Sequence, residues 1–268
     1  MTKNSTSRLQ TFLPFLTLAV LFIGLTIASP HFLTANNLSS VVRQTAVINI
    51  MALGMTLIII TGGIDLSVGA ILALAGLYGA MAMRDGHSIP FAILIGIGTG
   101  LLCGAANGVM ITQFRINPFI VTLGTMGIFR GIALVSSNAL PVHEIPPGFS
   151  FLGDGNLFGV PFVLWILLAC AVLMHVILEH TKLGRYSFAI GSNPEAAYYA
   201  GVPIKFHLTM VYIIAGMLTG LAGMIEASRL MTGQPTAGMG DELLAIAAVV
   251  IGGGSLTGGE GSVLGTLV

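Results

Sequence analysis

Long apolar runs recur along this chain, and short polar or glycine-rich segments separate them. A helix needs about 20 mostly apolar residues to cross the hydrocarbon layer of a membrane. The pattern therefore predicts an all-α fold, a polytopic transmembrane helix bundle with about eight or nine spans. The predicted spans are residues 12–29, 42–61, 66–83, 90–112, 118–137, 160–179, 207–228 and 242–253, and a ninth begins near Ser262.

The first and last apolar runs need separate interpretation. The first run, from Phe12 to Ala28, is typical of either a signal peptide or a first span. It is long for a signal peptide, and Pro30 closes it without a small-x-small cleavage site, so we expect an uncleaved span. The last run reaches Val268 only a few residues after it starts. We therefore treat residues 1–268 as a single transmembrane domain and expect that one or two further spans are missing from its C-terminal end.

Basic residues between the spans predict the orientation of the chain, because short basic loops remain on the cytoplasmic side of a membrane. With a cytoplasmic N-terminus, the loops on that side contain Lys3, Arg8, Arg115, Lys182, Arg185 and Lys205, and the outer loops contain Arg43, Arg84 and Arg229. All the lysines then lie inside, which favours this orientation.

The longest predicted outer loop, from Ser136 to Gly159, is rich in proline and glycine. This composition predicts an ordered connector. Whether the loop contacts an external partner or only links two spans stays open.

Glycines at a four-residue period mark one face of the fourth span and recur in the seventh. Such a face allows another helix to approach closely, so we expect these glycines to lie in helix–helix contacts. They are Gly96, Gly100, Gly104 and Gly108 in the fourth span, and Gly216 and Gly220 in the seventh.

Two glycine-rich corners suggest an internal pseudo-repeat. Residues 62–69 read GGIDLSVG and residues 252–259 read GGGSLTGG, and each segment lies between two aliphatic runs. In transporters, glycine-interrupted segments at corresponding positions point to the substrate path. The predicted spans put both corners on the cytoplasmic side, whereas an inverted repeat would put them on opposite sides, and the sequence does not decide between these alternatives.

Composition narrows the range of functions. Hydrophobic residues make up 55% of the chain and charged residues 7%, against roughly 25% charged residues in soluble domains, so we expect a lipid bilayer to surround it. Ten basic residues balance ten acidic ones, which leaves no basic surface for nucleic acid. The sequence contains no phosphate-binding loop, no GxSxG, no HExxH and no Cys/His cluster with metal-ligand spacing. We therefore expect neither a catalytic centre nor a metal or cofactor in this chain.

The longest predicted cytoplasmic loop spans residues 180–206. Within it, Ser192 or Asn193 can cap a short helix that starts at Pro194 and ends at Gly201. A short helix with small residues on one side and two tyrosines is suited to a cleft in another protein. An ordinary surface helix is the alternative.

Several spaced motifs resemble one family of membrane proteins. The segment Glu195-Ala196-Ala197-x3-Gly201 resembles the EAA loop of bacterial ATP-binding-cassette importers. Together with GGIDLSVG at 62–69, LGRY at 183–186, QPTAG at 234–238 and AIAAVVIGG at 245–253, the chain is similar to the ribose-type sugar permeases over essentially its whole length. Members of this family have about ten spans.

The resemblance implies a division of labour between subunits. Two permease copies would form the pathway in the inner membrane of a bacterium, with ATP and Mg²⁺ held by a separate ATP-binding subunit and the sugar delivered by a periplasmic binding protein. The coupling helix would be formed by residues 193–201, including Asn193, Pro194, Glu195, Ala196, Ala197 and Gly201. It would transmit closure of the ATPase pair to the spans as a rigid-body shift.

Polar residues near the spans are the candidates for a gate or a substrate path. They are Gly62, Gly63, Asp65, Ser67, Asn49, Asn107, Thr122 and Gln234. Each could equally form a hydrogen bond to a neighbouring helix. Asp65 is either a cap for the following helix or a gate or substrate contact. Glu226 with Arg229 is expected to form a local pair.

Two other classes of protein compete with the importer permease. A self-contained, ion-coupled transporter would need a titratable group near the middle of the membrane, and no ionisable residue is clearly central in the predicted spans. An intramembrane enzyme would need a nucleophile and a base, and the sequence offers no candidate pair.

Overall fold

The computed structural model of the chain describes the backbone of residues 3–268 and the side chains of residues 16–268. The side chains of Lys3 and Arg8, which support the predicted orientation, lie outside the described residues. The helices are α1 Lys3–Ala28, α2 Ala35–Ile60, α3 Val68–Arg84, α4 Ile89–Phe114, α5 Pro118–Ser136, α6 Phe151–Asp154, α7 Phe162–His180, α8 Lys182–Ser192, α9 Pro194–Tyr199, α10 Ile204–Leu230, α11 Asp241–Ile251 and α12 Val263–Leu267. The predicted all-α membrane bundle is confirmed.

Within the described residues, five helices are long and apolar enough to cross a membrane: α2, α4, α5, α7 and α10. Two shorter apolar helices, Leu16–Ala28 and Val68–Arg84, accompany them. The predicted eighth span, 242–253, is instead the helix α11 of 11 residues, which is about 16 Å long and cannot cross a hydrocarbon layer about 30 Å thick. Gly240 starts this helix with φ 91° and Gly253 follows it with φ 92°, so backbone conformations that favour glycine bound it at both ends.

Helix α2 forms the centre of the bundle. Its residues 50–60 are buried on every side, as expected for a helix that is apolar around its whole circumference. Helices α10, α11 and α7 pack against it. The other end of α2, near Arg43, contacts the segment that follows α5.

The glycine stripes of α4 and α10 pack against each other, as predicted. A Cβ atom on Gly100 would overlap the carbonyl oxygen of Gly216, and one on Gly104 would overlap that of Tyr212. The two backbones therefore touch directly. Close approach of this kind provides the van der Waals packing on which helix association in lipid depends.

The segment between α5 and α7 is an ordered connector, as its composition predicts. It contains a 3₁₀ turn at Pro147–Ser150, helix α6 and a hairpin of β1 Asn156–Leu157 and β2 Val160–Pro161. Phe149 is fully buried, and Ser228 at the end of α10 donates a hydrogen bond to the Phe149 carbonyl at 2.6 Å. The connector is thus attached to the bundle.

The bundle has two ends, which we call the α9 end and the far end. The α9 end contains the last residues of α2, α4 and α7, together with α8, α9 and the first residues of α10. The far end contains the connector and the last residues of α3, α5 and α10. An antiparallel bridge between Val142 and Gly233 joins two segments of the far end.

Candidate functional site

The predicted coupling segment, 180–206, folds into two consecutive short helices. Thr181 caps α8 by accepting hydrogen bonds from the N–H groups of Leu183 and Gly184. Asn193 caps α9 by accepting a hydrogen bond from the Ala196 N–H at 2.9 Å, and Pro194 is the first helical residue. Gly201 has φ 81° and donates its N–H to Tyr198, so it ends the helix where the sequence predicts.

Helix α9 is anchored on one side and exposed on the other. Ala197 is 4% exposed and packs in a small apolar cluster with Ile190 and Val202. Tyr198 and Tyr199 are 66% and 78% exposed, and Glu195 is exposed as well. The helix therefore presents an uncovered surface at this end of the bundle while its backbone stays fixed.

A buried hydrogen bond connects the two short helices to the spans. Ser187 on α8 lies 3.1 Å from Nε2 of His207 on α10, and both residues are buried. Rigid movement of α8 and α9 would consequently pull on the first turn of α10.

The two glycine-rich corners meet at the α9 end. The Gly259 N–H donates a hydrogen bond to the Ile60 carbonyl at 2.9 Å. A Cβ on Gly258 would lie 3.0 Å from the Gly62 nitrogen, and one on Gly191 would overlap the Ile60 carbonyl oxygen. Both corners are therefore on the same side, as the predicted spans indicate, and the end of α8 is wedged against them.

A buried polar network lies between the α2–α3 loop and α4. The Asp65 carboxylate accepts hydrogen bonds from the Ser67 N–H at 2.7 Å and the Ser67 hydroxyl at 2.6 Å. The Asn107 side-chain amide donates to the Ser67 hydroxyl at 2.8 Å and reaches the second Asp65 oxygen at 3.4 Å. Asp65 accepts from the residue immediately before α3, so it orders the entry to that helix, and it also connects the loop to α4.

Of the predicted gate and path residues, the structure brings together those on the α2–α3 loop, α4 and α5. The Thr122 hydroxyl lies 3.2 Å from the Ile64 carbonyl, and Gly63 is buried while Gly62 is exposed. Asn49 and Gln234 lie elsewhere: Asn49 is 11 residues before the end of α2, about 16 Å along the helix, and Gln234 follows the bridge at the far end.

Arg130 was not among the site residues predicted from the sequence, but in the structure it holds the segment between α10 and α11. Its guanidinium donates hydrogen bonds to the carbonyls of Pro235 at 2.8 Å and Ala237 at 2.7 Å. These carbonyls belong to the non-helical segment between α10 and α11, which runs alongside α3. Backbone without helical hydrogen bonds is tolerated at membrane depth only where other groups satisfy it. An arginine inside an apolar span was the available signal.

Tyr212 is the second residue that sequence reasoning missed. Its side chain is 1% exposed, and a Cβ on Gly63 would lie 2.7 Å from its hydroxyl oxygen. The tyrosine hydroxyl therefore lies against the backbone of the α2–α3 loop. A lone tyrosine in an apolar span carries no sequence signal of this contact.

The predicted pair of Glu226 and Arg229 is confirmed by a 2.8 Å contact between the two side chains. Among residues 16–268, no three His, Cys, Asp or Glu side chains are grouped so that they could hold a metal ion.

Comparison with known proteins identifies relatives over nearly the whole chain. Residues 37–268 match the family described as the branched-chain amino acid transport system / permease component. The chain is 43% identical to the ribose import permease protein RbsC of Bacillus subtilis (strain 168) over 257 residues, which are 95% of this chain and 80% of that protein.

Two further relatives come from Escherichia coli (strain K12). The ribose import permease protein RbsC is 42% identical over 94% of this chain and 79% of its own length. The D-allose transport system permease protein AlsC is 39% identical over 89% of this chain and 73% of its own length. No solved structure matches the chain.

Proposed function

Because this chain belongs to the branched-chain amino acid transport system / permease component family, we propose that it conducts ribose or a similar monosaccharide into the cytoplasm. The chain is a multi-pass membrane protein and the permease subunit of a sugar importer of the ATP-binding-cassette type. The proposal that the substrate is ribose or a similar sugar rests on the similarity to the ribose and allose permeases. Transport proceeds by alternating access, driven by ATP hydrolysis in a separate subunit that holds the nucleotide and Mg²⁺.

The observation that carries the mechanism is the uncovered surface of α9. A short helix that is capped by Asn193, ended by Gly201 and anchored through Ala197 transmits force as a rigid body. Its exposed Glu195 and tyrosines are available to a partner. In this proposal the ATP-binding subunit docks on residues 193–201, and its closure shifts α8, α9 and the first turn of α10 together.

The charge distribution supports a cytoplasmic α9 end in the bacterial inner membrane. Arg115, Lys182, Arg185 and Lys205 lie at this end, and none has an ion pair among the described residues. Each of the far-end arginines has an acidic partner: Arg43 with Asp154, Arg84 with Asp85 and Arg229 with Glu226. Basic residues in short loops next to spans remain in the cytoplasm, so in this proposal the α9 end and the N-terminus are both cytoplasmic. The connector at the far end then faces a periplasmic sugar-binding protein.

A second copy of the chain completes the pathway in this proposal. Arg130 lies about 9 Å along α5 from its far end and about 18 Å from its other end. Glu242 packs against Gly69, about 22 Å along α3 from Arg84. Arg130, Asp241 and Glu242 are only partly buried.

Charged groups at this depth are costly against lipid, and they face protein or a water-filled cavity. The side of α5 that faces away from the bundle contains Gly124, Gly127 and Gly131, and a Cβ built on any of them would have no other atoms within 4 Å. This contrasts with the stripe glycines of α4 and α10, which are packed against neighbouring helices: Gly96, Gly100, Gly104, Gly108, Gly216 and Gly220. The face formed by α5 and α11, which we call the α5/α11 face, is therefore assigned to the contact with the second copy and to the conduit between the two.

A self-contained ion-coupled transporter is the alternative, and one observation favours it. Asp65 is 2% exposed and lies inside the bundle, where carriers hold the titratable group that binds an ion. The two functions predict different energy sources. Sugar uptake that persists without an ATP-binding subunit and disappears with the ion gradient would establish the alternative.

The proposed function is tested by purifying the chain with the ATP-binding and sugar-binding proteins encoded in the same genome and measuring sugar uptake in vesicles. Gly201→Val forces a β-branched residue into φ 81° and should distort the end of α9. We expect this variant to lose the ATP-binding subunit during purification and to lose uptake. Gly159→Val, at φ 78° in the far-end hairpin, is the matched control and should keep the ATP-binding subunit. Retention of the subunit by both variants would contradict the assignment of α9.

A further inference from the structure

The α2–α3 loop, residues 61–67, is a non-helical segment that enters the interior of the bundle. Asp65 and Ser67 are 2% and 0% exposed. The hydrogen bonds between Asp65, Ser67 and Asn107 hold the loop against α4. A loop is seldom buried, because its backbone polar groups then need partners, so this position indicates a role for the loop.

Two polar atoms beside the loop lack hydrogen-bond partners among the described residues. They are Oδ1 of Asn107 and the hydroxyl oxygen of Tyr212, and neither is accessible from outside. The Asn107 orientation is fixed, because its amide nitrogen donates to Ser67. A buried unpaired polar group costs free energy, and phenylalanine would fill the position of Tyr212 without that cost. The free-energy cost of leaving the Tyr212 hydroxyl unpaired here is explained if this hydroxyl forms a hydrogen bond in another conformation of the protein.

The start of the loop is fixed to the end of α8. The carbonyl of Ile60, the last residue of α2, accepts a hydrogen bond from the Gly259 N–H. Gly191 packs directly against the same carbonyl oxygen, where a Cβ would overlap it. Gly191 lies three residues before Pro194, where α9 begins. These contacts are between backbones, with no flexible side chain between them. Displacement of α9 along the bundle therefore displaces residues 60–62 as well.

We propose that the α2–α3 loop is the moving element between α9 and the transport pathway, and that Asp65, Asn107 and Tyr212 are the positioning residues that hold its two positions. The inference rests on the proposed function and deepens it. In the present position, Asp65 and Ser67 are hydrogen-bonded to each other and to Asn107. When α9 shifts, the loop slides along α4 and α10. The Tyr212 hydroxyl then donates to the Asp65 carboxylate, and Oδ1 of Asn107 accepts a loop N–H.

The required movement is small. The Tyr212 hydroxyl already touches the loop at Gly63, two residues before Asp65. Coupling between distant sites requires an element with two discrete arrangements that both sites bias. In this proposal the loop is that element, because α8 holds one of its ends and the polar network holds the other.

The test is Tyr212→Phe, which removes only the hydroxyl. The variant is reconstituted with the ATP-binding and sugar-binding proteins, and sugar uptake and ATP hydrolysis are measured in the same vesicles. We expect unchanged or higher thermal stability, because the hydroxyl is unpaired in the present conformation. Sugar transported per ATP hydrolysed should fall about three- to tenfold, since one hydrogen bond is lost in the other conformation. Tyr78→Phe, in the neighbouring helix α3, is the matched control and should change neither quantity.

A double-mutant cycle identifies the partner of the hydroxyl. If Tyr212 pairs with Asp65 only during transport, Tyr212→Phe should add little to the effect of Asp65→Asn on sugar per ATP. Additive effects would overturn the pairing. An unchanged ratio in Tyr212→Phe, or a loss that follows a lower melting temperature, would overturn the proposal. Uptake by the unaltered chain without the ATP-binding subunit would instead contradict the proposed function, so the two failures are distinguishable.

Discussion

At the scale of single residues, polar side chains inside this bundle satisfy backbone that is not helical. Arg130 is the clearest case, because its guanidinium holds two carbonyls of the segment between α10 and α11. Thr122 reaches the Ile64 carbonyl in the α2–α3 loop in the same way. Irregular backbone at membrane depth thus depends on specific side chains rather than on water.

Replacing Arg130 with methionine should destabilise the protein. Methionine keeps the length of the side chain but removes the donors, so the carbonyls of Pro235 and Ala237 lose their partner. Each unsatisfied carbonyl costs about 1–3 kcal/mol, and the melting temperature in detergent should fall. Arg84→Met removes an exposed arginine, whose side chain is 44% accessible, and should leave the melting temperature unchanged. Equal melting temperatures for the two variants would show that the Arg130 hydrogen bonds contribute nothing.

At the scale of elements, short helices perform the tasks that full spans cannot. Helix α11 starts beside α3, where Glu242 packs against Gly69, and ends at the glycine-rich corner. Helix α9 has only six residues, too few to be stable alone. Its conformation depends on the Asn193 cap and on the packing of Ala197.

Removing the cap of α9 should weaken docking of the ATP-binding subunit. Asn193→Ala removes the side-chain acceptor for the Ala196 N–H, a loss worth about 1 kcal/mol, which corresponds to about a fivefold weaker affinity if α9 must be ordered to bind. The affinity for the purified ATP-binding subunit measures the effect. Asn193→Asp retains the acceptor and should restore binding. An alanine variant that binds as tightly as the unaltered chain would show that the cap does not order the docking surface.

At the scale of the whole molecule, the sides of the bundle differ in what can cover them. The exposed side of α7, which includes Val172 and Leu173, is apolar and suits lipid. The α5/α11 face combines open glycines with charges at membrane depth. Only the second kind of surface requires protein or water opposite it.

Cross-linking tests the assignment of the α5/α11 face. In a background with Cys103 and Cys170 replaced by alanine, Gly127→Cys should form a disulfide between two copies after mild oxidation in membranes. Gly98→Cys is the matched control, because Gly98 on α4 also has no atoms near its Cβ position but lies away from α5/α11. We expect a covalent dimer for residue 127 and none for residue 98. Dimers from both variants would indicate random collision, and none from residue 127 would exclude this face.

How much of the fold could be predicted differs between elements. The lengths of the apolar runs predicted seven helices, most of whose ends lie within a few residues of the observed ends. This works because a segment that crosses the membrane must form all its backbone hydrogen bonds within itself, as a helix does. The second predicted span began seven residues too late, because the more polar residues 35–41 also belong to the helix. The eighth span was wrong because length and hydropathy do not reveal that the chain enters the bundle as a series of turns before Asp241.

The candidate site was only partly visible in the sequence. Asn193 as a cap and Gly201 as a stop were predicted from local rules, which act over a few residues. The contact between Asp65 and Asn107 joins residues 42 positions apart, and no local pattern encodes it.

The sequence by itself determined that this chain is a membrane protein, which segments are helical, and where the short helix α9 begins and ends. These properties follow from solvent transfer and from hydrogen bonds between near neighbours. The tertiary structure alone decided that both glycine-rich corners meet beneath the end of α8, that Arg130 satisfies the broken segment, and that the Tyr212 hydroxyl lies against the α2–α3 loop. These contacts depend on how helices far apart in the chain pack, and packing is a property of the whole bundle.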